Sequence, residues 1–410
     1  MPNAHHLRQR LTLAALTAAA CLALNACQGA PERWYKGNLH THTLWSDGNH
    51  FPEMVVDWYA QRDYDFLALS DHNVFADHEK WIANDAVIAR GGRTALRDYR
   101  QRFGTDWVET REVDGRMEVR LKRFDEFAGR FAKTGDLGTD LLMIPAEEVT
   151  AGFGKHPIHI NASNVAGRIA PEKGTSVVDT IRNNLRAIAA HAEANDRRVL
   201  AHLNHPNFGW GVTAQELAEV TEERYFEVWN GHPGVNHRGD AKHPSVEHLW
   251  DLANTTRRRD LDADLLFGLG TDDCHNYHSA LDSTPGRGWV MVRAANCSAD
   301  ALLAAIERGD FYASSGVVLD DVRFDGNRID IEVAAVEGAT YVTEFVGTRR
   351  EEGSEIGEVL LRVEGPKASY YLRGDELFVR ATVTSSLAAE NPVWQGQRRQ
   401  AWTQPVQPKL

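Results

Sequence analysis

The chain has 410 residues, a formal net charge of −13 and 42% hydrophobic residues. This length exceeds one minimal core and suggests two domains, or one large α/β barrel with an appendage. The composition excludes a mostly disordered chain and a multi-span membrane protein, and the negative charge argues against a broad electrostatic grip on long nucleic acid. The 18 histidines and only 4 cysteines favour metal ligation or acid–base chemistry over a disulfide scaffold.

The first 26 residues have the layout of an export signal. Two arginines precede an apolar run over 11–24, which is too short and too rich in small residues for a confident membrane span. The run ends Leu-Asn-Ala-Cys at 24–27, a pattern that resembles a bacterial lipobox, in which the cysteine becomes the lipidated first residue. We therefore expect residues 1–26 to be a signal peptide and Cys27 to be a lipid anchor. A simple secretion signal is the alternative.

A lipidated Cys27 predicts an outer-membrane lipoprotein that faces the periplasm or the cell surface, since Gln28 is not an aspartate-type inner-membrane retention signal. Without lipidation we expect a periplasmic or secreted protein. In the lipidated form the N-terminal anchor would be the only membrane contact. An oxidising compartment would also allow Cys274 and Cys297 to pair if they are close.

After a predicted tether at 31–36, apolar runs alternate with helical patterns. Compact apolar runs predict strands at 65–70, 140–144, 198–203, 225–229, 265–269 and 289–292, and helical patterns predict helices at 52–62, 177–194 and 299–308. Alternating strands and helices indicate parallel strands with right-handed crossovers, and about seven such units fit before residue 316. We therefore predict an α/β barrel over 34–319.

Two segments depart from this alternation. Residues 76–137 are charged and contain a predicted hairpin at Asp114-Gly115, which indicates an insertion near the mouth of the barrel. From Asp320 onward, short segments of alternating polarity predict a small antiparallel β domain over 320–410. The sequence does not define the role of this domain.

Histidines and acids recur near the ends of the apolar runs. His40 and His42 alternate on a predicted first strand and so point to one face. The later clusters are Asp47, Asp71-His72, Glu147-Glu148, His156 with His159, His202 with His205, and Asp273 with His275. The carboxyl ends of parallel barrel strands converge, so these side chains should share one pocket. Divalent cations would relieve their mutual repulsion, and mixed nitrogen and oxygen ligands suit Mn, Fe or Zn.

This series of motifs resembles the PHP (polymerase and histidinol phosphatase) superfamily of metal-dependent phosphoesterases, over roughly residues 36–316. The resemblance implies a distorted (β/α)7 barrel that holds two or three divalent transition metals. The ligands that it implies are His40, His42, Asp47, His72, Glu148, His159, His205, Asp273 and His275. Asp71 would orient these ligands without binding an ion itself. The bridging acid is Glu148 by register, but Pro-Ala-Glu-Glu replaces the family's Pro-Gly-x-Glu, so Glu147 stays open.

The resemblance further implies hydrolysis of a phosphomonoester or phosphodiester by a metal-bound hydroxide, with Glu148, Asp273 and His205 at the reacting centre. The candidate substrate contacts are Arg287, Lys155 and His237. The expected partner is a small phosphorylated substrate, and long nucleic acid is not expected. Two alternatives remain: an amidohydrolase-like metal-dependent hydrolase of C–N or C–O bonds, which also opens with His-x-His, and a non-catalytic metal- or ligand-binding envelope protein.

Overall fold

A computed structural model describes residues 32–132, 135–137, 139–278 and 282–408. The predicted signal peptide and Cys27 lie outside these residues. In the described part of the chain, none of the helices is both long and apolar enough to cross a lipid bilayer. The two cysteines in this part, Cys274 and Cys297, are both free thiols.

Strands dominate the described chain. In chain order they are β1 Arg33–Asn38, β2 Phe66–Leu69, β3 Lys80–Ala83, β4 Thr110–Val113, β5 Arg116–Leu121, β6 Leu142–Phe153, β7 His156–Ser163, β8 Leu200–Leu203, β9 Tyr225–Asn230, β10 Phe267–Thr271, β11 Trp289–Ala294, β12 Phe311–Ser314, β13 Leu319–Phe324, β14 Arg328–Val333, β15 Tyr341–Arg349, β16 Glu358–Glu364, β17 Lys367–Tyr371, β18 Glu376–Ala388 and β19 Arg398–Thr403.

The helices are α1 Pro52–Ala60, α2 Asn84–Gly91, α3 Ala95–Phe103, α4 Phe124–Phe131, α5 Val177–Ala194, α6 Ala214–Glu219, α7 Val246–Thr256 and α8 Ala299–Arg308, and a π-helical turn over Arg257–Leu261 extends α7. Ser176, Ser245 and Ser298 cap α5, α7 and α8, because each hydroxyl accepts a hydrogen bond from the backbone N–H three residues later. The bounds predicted for α5 and α8 are confirmed.

One large sheet has the strand order β10-β9-β8-β7-β6-β2-β1-β11-β12-β19-β18-β15-β16. β8, β9 and β10 run parallel, as do β1, β2 and β6, but β7 is antiparallel to both neighbours and β11 is antiparallel to β1. The prediction of uniformly parallel strands is therefore wrong at β7 and β11. The β6–β7 connection is a hairpin through Gly154 and Lys155, which is too short for a crossover helix.

The residues that follow β1 and β10 contact each other, although five strands separate β1 from β10 in the sheet. His42 N donates to Cys274 O at 2.9 Å, and Asp273 N donates to His40 O at 2.9 Å. The sheet must therefore curve until these strand ends meet. The fold is mixed α/β with one large curved sheet, and the closed seven-stranded barrel stays a prediction.

The start of the described chain departs from expectation. The predicted tether at 31–36 is wrong, because Arg33 already begins β1, which pairs with β11 from Arg33 to Gly37. The backbone N–H and C=O groups of this segment are thus used by the sheet instead of by solvent.

The insertion over 76–137 forms its own three-stranded antiparallel sheet in the order β3-β5-β4, with the hairpin at Asp114-Gly115 between β4 and β5. The Lys80 ammonium donates to Trp45 O, and the Arg90 guanidinium donates to Ser46 O at 2.5 Å. The insertion therefore lies against the loop that follows β1.

The C-terminal strands are antiparallel, as predicted, but they do not form one separate sheet. Strands β15, β16, β18 and β19 extend the large sheet through the β12–β19 pairing, while β13, β14 and β17 form a second sheet. Trp402 of β19 stacks on Trp229 of β9 with 5.5 Å between ring centroids. A side-chain amide adds a second link, since Gly268 N donates to Gln404 Oε1 at 2.8 Å and Gln404 Nε2 donates to Gly268 O at 2.9 Å.

A buried ion pair also joins the two parts of the chain. Arg380 of β18 donates from Nε and Nη2 to the two carboxylate oxygens of Asp251 in α7, at 2.8 and 2.7 Å. Their side chains are only 2% and 4% exposed. Both charges are therefore desolvated, and Asp251 depends on Arg380 for compensation, while Arg380 also lies 3.4 Å from Glu247 Oε2.

Replacing Arg380 by Met should destabilise the protein by about 3–5 kcal/mol, because the Asp251 carboxylate would stay buried without its counter-charge. Urea denaturation followed by tryptophan fluorescence measures the loss. The control is Arg349→Met, which removes the partner of the exposed Asp375 and should cost less than about 1 kcal/mol. Equal losses for the two variants would contradict this account.

Candidate metal centre

The nine implied ligands converge at one end of the curved sheet. His40, His42 and Asp47 follow β1, His72 follows β2, Glu148 lies in β6, His159 lies in β7, His205 follows β8, and Asp273 and His275 follow β10. His40 and His42 thus lie just beyond β1, and not on it as expected. The strand-end hydrogen bonds between the residues after β1 and β10 bring the first and last of these segments together.

Glu148 lies between two sets of imidazoles. Its Oε2 is 2.8 Å from His72 Nδ1, 3.4 Å from His42 Nε2 and 3.5 Å from His40 Nε2, and its Oε1 is 2.9 Å from His159 Nδ1 and 3.7 Å from His205 Nε2. The two oxygens of one buried carboxylate therefore face different groups of donor atoms. A ligand that bridges two adjacent ions needs this arrangement.

Glu147 faces away from these imidazoles. Its Oε1 accepts a hydrogen bond from Ile169 N, and burial raises the pKa of Glu147 to about 7. Successive side chains of a strand point to opposite faces, so only one of the two glutamates can face the imidazoles. That glutamate is Glu148.

Asp273 is the second acid among the imidazoles. Its Oδ1 is 3.2 Å from Nε2 of both His40 and His42, and its Oδ2 is 3.8 Å from His205 Nε2. Asp273 and His205 have positive φ values, 47° and 24°. Such backbone costs roughly 1–3 kcal/mol at a non-glycine residue and persists where the surroundings impose it, often at functional sites.

Among the described ligand residues, the most exposed side chains lie around Asp47. The Asp47 side chain is 57% exposed, with Oδ1 at 3.3 Å from His275 Nε2 and Oδ2 at 3.6 Å from His72 Nε2. The side chains of His40 and Glu148 are fully buried. A substrate must therefore approach past Asp47, His72 and His275.

Charges within the centre compensate one another. Burial opposes ionisation of Glu148, but the imidazoles of His72 and His40 hold the pKa of Glu148 well below its usual range. Burial and the charge of His275 lower the pKa of His42 to about 3. Burial also disfavours the protonated form of His275, but Asp47 and Asp273 raise the pKa of His275 to about 9. A pKa of about 9 makes the His275 imidazole cationic near neutral pH, so a metal ion that binds through this ring would displace its proton.

The donor atoms fit metal ions. Glu148 Oε2, His159 Nδ1 and both ring nitrogens of His202 are buried and make no well-aligned hydrogen bond, although His72 Nδ1 lies 2.8 Å from Glu148 Oε2 and His159 Nδ1 lies 2.9 Å from Glu148 Oε1. Five overlapping groups have ligand atoms within 4.8 Å of one another, namely His42–Asp47–His72–His275, His40–His202–Glu227, His40–Glu148–His205, His40–His42–Asp273 and His72–Glu148–His159. This mixture of imidazole and carboxylate donors suits divalent transition metals.

Asp71 holds a loop instead of an imidazole ring. Its Oδ1 accepts hydrogen bonds from Thr43 N at 2.8 Å and from Ser46 Oγ at 2.6 Å, and its Oδ2 accepts one from Thr43 Oγ1 at 2.8 Å. The predicted orienting role is thus indirect, because Asp71 fixes the turn between His42 and Asp47.

The candidate substrate contacts do not gather at the opening. Arg287 is buried and donates from Nη1 to Gly231 O at 3.0 Å, while Lys155 is exposed in the β6–β7 hairpin. His237 is buried, and its Nε2 donates to Asn230 O at 2.6 Å. Burial lowers the pKa of His237 to about 4. Arg287 and His237 therefore brace loops in this structure, and substrate contact by Arg287, Lys155 or His237 stays a prediction.

No motif in the sequence marks Glu227 or Arg90 as residues of this region. Glu227 of β9 is 1% exposed, and its Oε1 is 2.6 Å from His40 Nδ1. A single acid between Phe226 and Val228 in a buried strand is a signal that could have revealed it. Arg90 reaches the Ser46 carbonyl from the insertion, and no local motif indicates that contact.

No protein-family model matches the chain. A search of curated proteins also found no match. Among solved structures, the chain is similar to a two-domain protein from Bacteroides vulgatus ATCC 8482 that contains a predicted PHP-like metal-dependent phosphoesterase, with 14% identity and a TM-score of 0.40 over 91% of this chain and 95% of that one.

Two further similarities are more distant. A protein from Bifidobacterium adolescentis ATCC 15703, inferred to be a metal-dependent phosphoesterase, has 12% identity and a TM-score of 0.30 over 61% of this chain and 89% of its own. An amidohydrolase from Chromobacterium violaceum, with bound sulfate and no metal, has 13% identity and a TM-score of 0.28 over 58% of this chain and 87% of its own. These similarities are too weak to assign a family, so the functional argument rests on the geometry of the centre.

The purified mature protein should hold two or three divalent transition-metal ions per chain, measured by elemental analysis after gel filtration in metal-free buffer. Glu148→Gln should lower this number, because a neutral amide offers one oxygen and cannot bridge. The matched control is Glu147→Gln at the neighbouring buried acid, which should keep the wild-type content. One ion or fewer in the wild-type protein would count against the centre.

Proposed function

We propose that the protein is a metal-dependent phosphoesterase of the PHP type, which hydrolyses a small phosphomonoester or phosphodiester at a centre of two or three ions. We further propose that the curved sheet is the distorted barrel of that superfamily. The observation that carries the proposal is the position of Glu148, whose two carboxylate oxygens face separate groups of imidazoles. Adjacent ions suit phosphoester hydrolysis, because they can hold the attacking and the leaving oxygen of an in-line displacement.

The candidate ligands differ in how deeply they are buried. His40, His42 and Asp273 form the closed side of the centre, while Asp47, His72 and His275 border the opening. When bound, the ions would lower the pKa of a water molecule and offset the negative charge that develops on the phosphoryl oxygens. Because the buried ligands are held by strand ends on several sides, they fix the position of the reacting group relative to the opening.

The cysteine between two ligands is not a nucleophile in this proposal. Cys274 is fully buried, and burial raises its thiol pKa well above the usual range. The thiolate that a covalent mechanism needs is therefore not formed near neutral pH.

Arg90 supplies a cation beside the opening. It contacts the Ser46 carbonyl next to Asp47, and it is only partly exposed. A guanidinium pairs well with phosphate oxygens because its donors are fixed in a plane. We therefore expect Arg90 to contact an oxygen of the substrate phosphate. The net charge of −13 still disfavours long nucleic acid as the substrate.

A substrate panel tests the proposal. Phosphomonoesters, phosphodiesters and small amides are assayed with Mn, Fe and Zn in turn, and the phosphoesters should be hydrolysed. His40→Ala and Asp273→Ala should each reduce kcat/KM at least about a hundredfold, since losing about 3 kcal/mol of metal-derived stabilisation has this effect. His248→Ala, on the exposed face of α7, is the control with wild-type activity.

The possible failures are distinct. Turnover of amides alone would favour the amidohydrolase-like alternative, and metal binding without any turnover would favour a non-catalytic envelope protein. Full phosphoesterase activity in both His40→Ala and Asp273→Ala would contradict the assigned centre.

We also propose that the protein is exported and anchored in the outer membrane through a lipidated Cys27, on the basis of the lipobox-like pattern at 24–27. Cys27→Ser should then move the protein from the membrane fraction to the soluble fraction, because the lipid would be the only attachment. Immunoblotting of fractionated cells measures the change, and an unaltered distribution would remove the lipoprotein proposal.

A further inference from the structure

A carboxylate lies behind the metal centre, in the middle of an apolar strand. Glu227 is 1% exposed, and its neighbours in β9, Phe226 and Val228, are equally buried. An ionised carboxylate placed there costs several kcal/mol in desolvation unless donors compensate it. Its contacts therefore indicate why a charged side chain is kept at this position.

Each oxygen of Glu227 faces two donors. Oε1 lies 2.6 Å from His40 Nδ1 and accepts a hydrogen bond from Thr271 Oγ1 at 2.7 Å. Oε2 accepts hydrogen bonds from His205 N at 2.9 Å and from Asn230 Nδ2 at 2.7 Å. One carboxylate thus contacts two of the ligand residues, which come from different strands.

The two contacts constrain different properties of the ligands. A hydrogen bond from His40 Nδ1 leaves the Nε2 lone pair free, and Nε2 is the atom that lies 3.2 Å from Asp273 Oδ1 and 3.1 Å from His42 Nε2. The bond from His205 N holds a backbone with φ of 24°, which is unfavourable for histidine. The ring of one ligand and the backbone of the other therefore depend on the same acid.

We propose that Glu227 is a positioning residue that sets the tautomer of His40 and the backbone of His205, so that both present their Nε2 atoms to the same ions. This inference rests on the proposed function. Partners of this kind fix the orientation of an imidazole and raise its basicity as a ligand.

Glu227 is not expected to be a metal ligand itself, although His40, His202 and Glu227 together could be taken for one more site. Its oxygens already accept hydrogen bonds from Thr271 Oγ1, His205 N and Asn230 Nδ2. Glu148 Oε2, in contrast, is buried without a hydrogen bond of suitable geometry.

Glu227→Gln tests the inference sharply. A glutamine has the same shape, but its NH2 group must face one of the two donor pairs, so it cannot serve His40 and His205 together. We expect the affinity of the metal-stripped full chain for Zn²⁺ to fall about 10–100-fold, measured by competition with a chromophoric chelator.

The matched control is Glu223→Gln. Glu223 is also a buried acid and precedes the same strand, but burial raises its pKa to about 8, so glutamine mimics its neutral form. Its affinity for Zn²⁺ should stay within about twofold of wild type. Unchanged affinity in Glu227→Gln, or an equal loss in Glu223→Gln, overturns the inference. A wild-type protein that binds no Zn²⁺ or Mn²⁺ overturns the proposed function as well.

A measurement on the unmodified protein covers the case in which Glu227→Gln does not fold. In the zinc-loaded wild-type chain labelled with 15N-histidine, the His40 ring should carry its proton on Nδ1 and bind zinc through Nε2, with the assignment taken from the spectrum of His40→Asn. Zinc bound through Nδ1 of His40, or an ion bound to Glu227, overturns the inference.

Discussion

The structure of the centre depends on one electrostatic constraint: a fully buried carboxylate, Glu148, surrounded by imidazoles. Neither the acid nor the rings can be hydrated at that depth, so each must find compensation in the others or in bound cations. Five imidazoles approach Glu148 within 3.7 Å or less, and they come from the segments after β1, β2 and β8 and from β7. The curvature of the sheet brings these segments to one place, and the positive φ of His205 lies within one of them.

The candidate ligands can be picked out from the sequence, because most of them are polar residues at or near the end of an apolar run. Strand ends are where side chains leave the core, and the carboxyl ends of parallel strands share one edge. The direction of β7 cannot be predicted in this way. Periodicity reports which face is buried, but it does not report whether a strand runs parallel or antiparallel to its neighbour. Only the length of the β6–β7 connection carries that information.

Residues that act through tertiary contacts are harder to predict. Arg287 has the sequence context of a phosphate contact, yet its guanidinium is used by the Gly231 carbonyl inside the protein. For Glu227 the sequence context indicates no contact, yet the structure gives it one. Its neighbours in the sequence do not reveal its partner His40, which lies 187 positions away in the chain. Pairwise contacts at such separations are properties of the assembled fold. A charged residue in an apolar strand can be flagged from sequence, but its partner cannot be named.

The hydrogen bonds of the Gln404 amide limit how the C-terminal part of the chain could have been gained or exchanged in evolution. The amide takes the place of a neighbouring strand at Gly268 of β10, the strand that leads to Asp273. The last part of the polypeptide is thus a structural component of the large curved sheet, and not a detachable accessory. A shorter ancestor or a fragment ending near residue 319 would leave this edge bare, open to pairing with other chains. Recombination could replace the C-terminal strands only with a segment that also hydrogen-bonds to the backbone of Gly268.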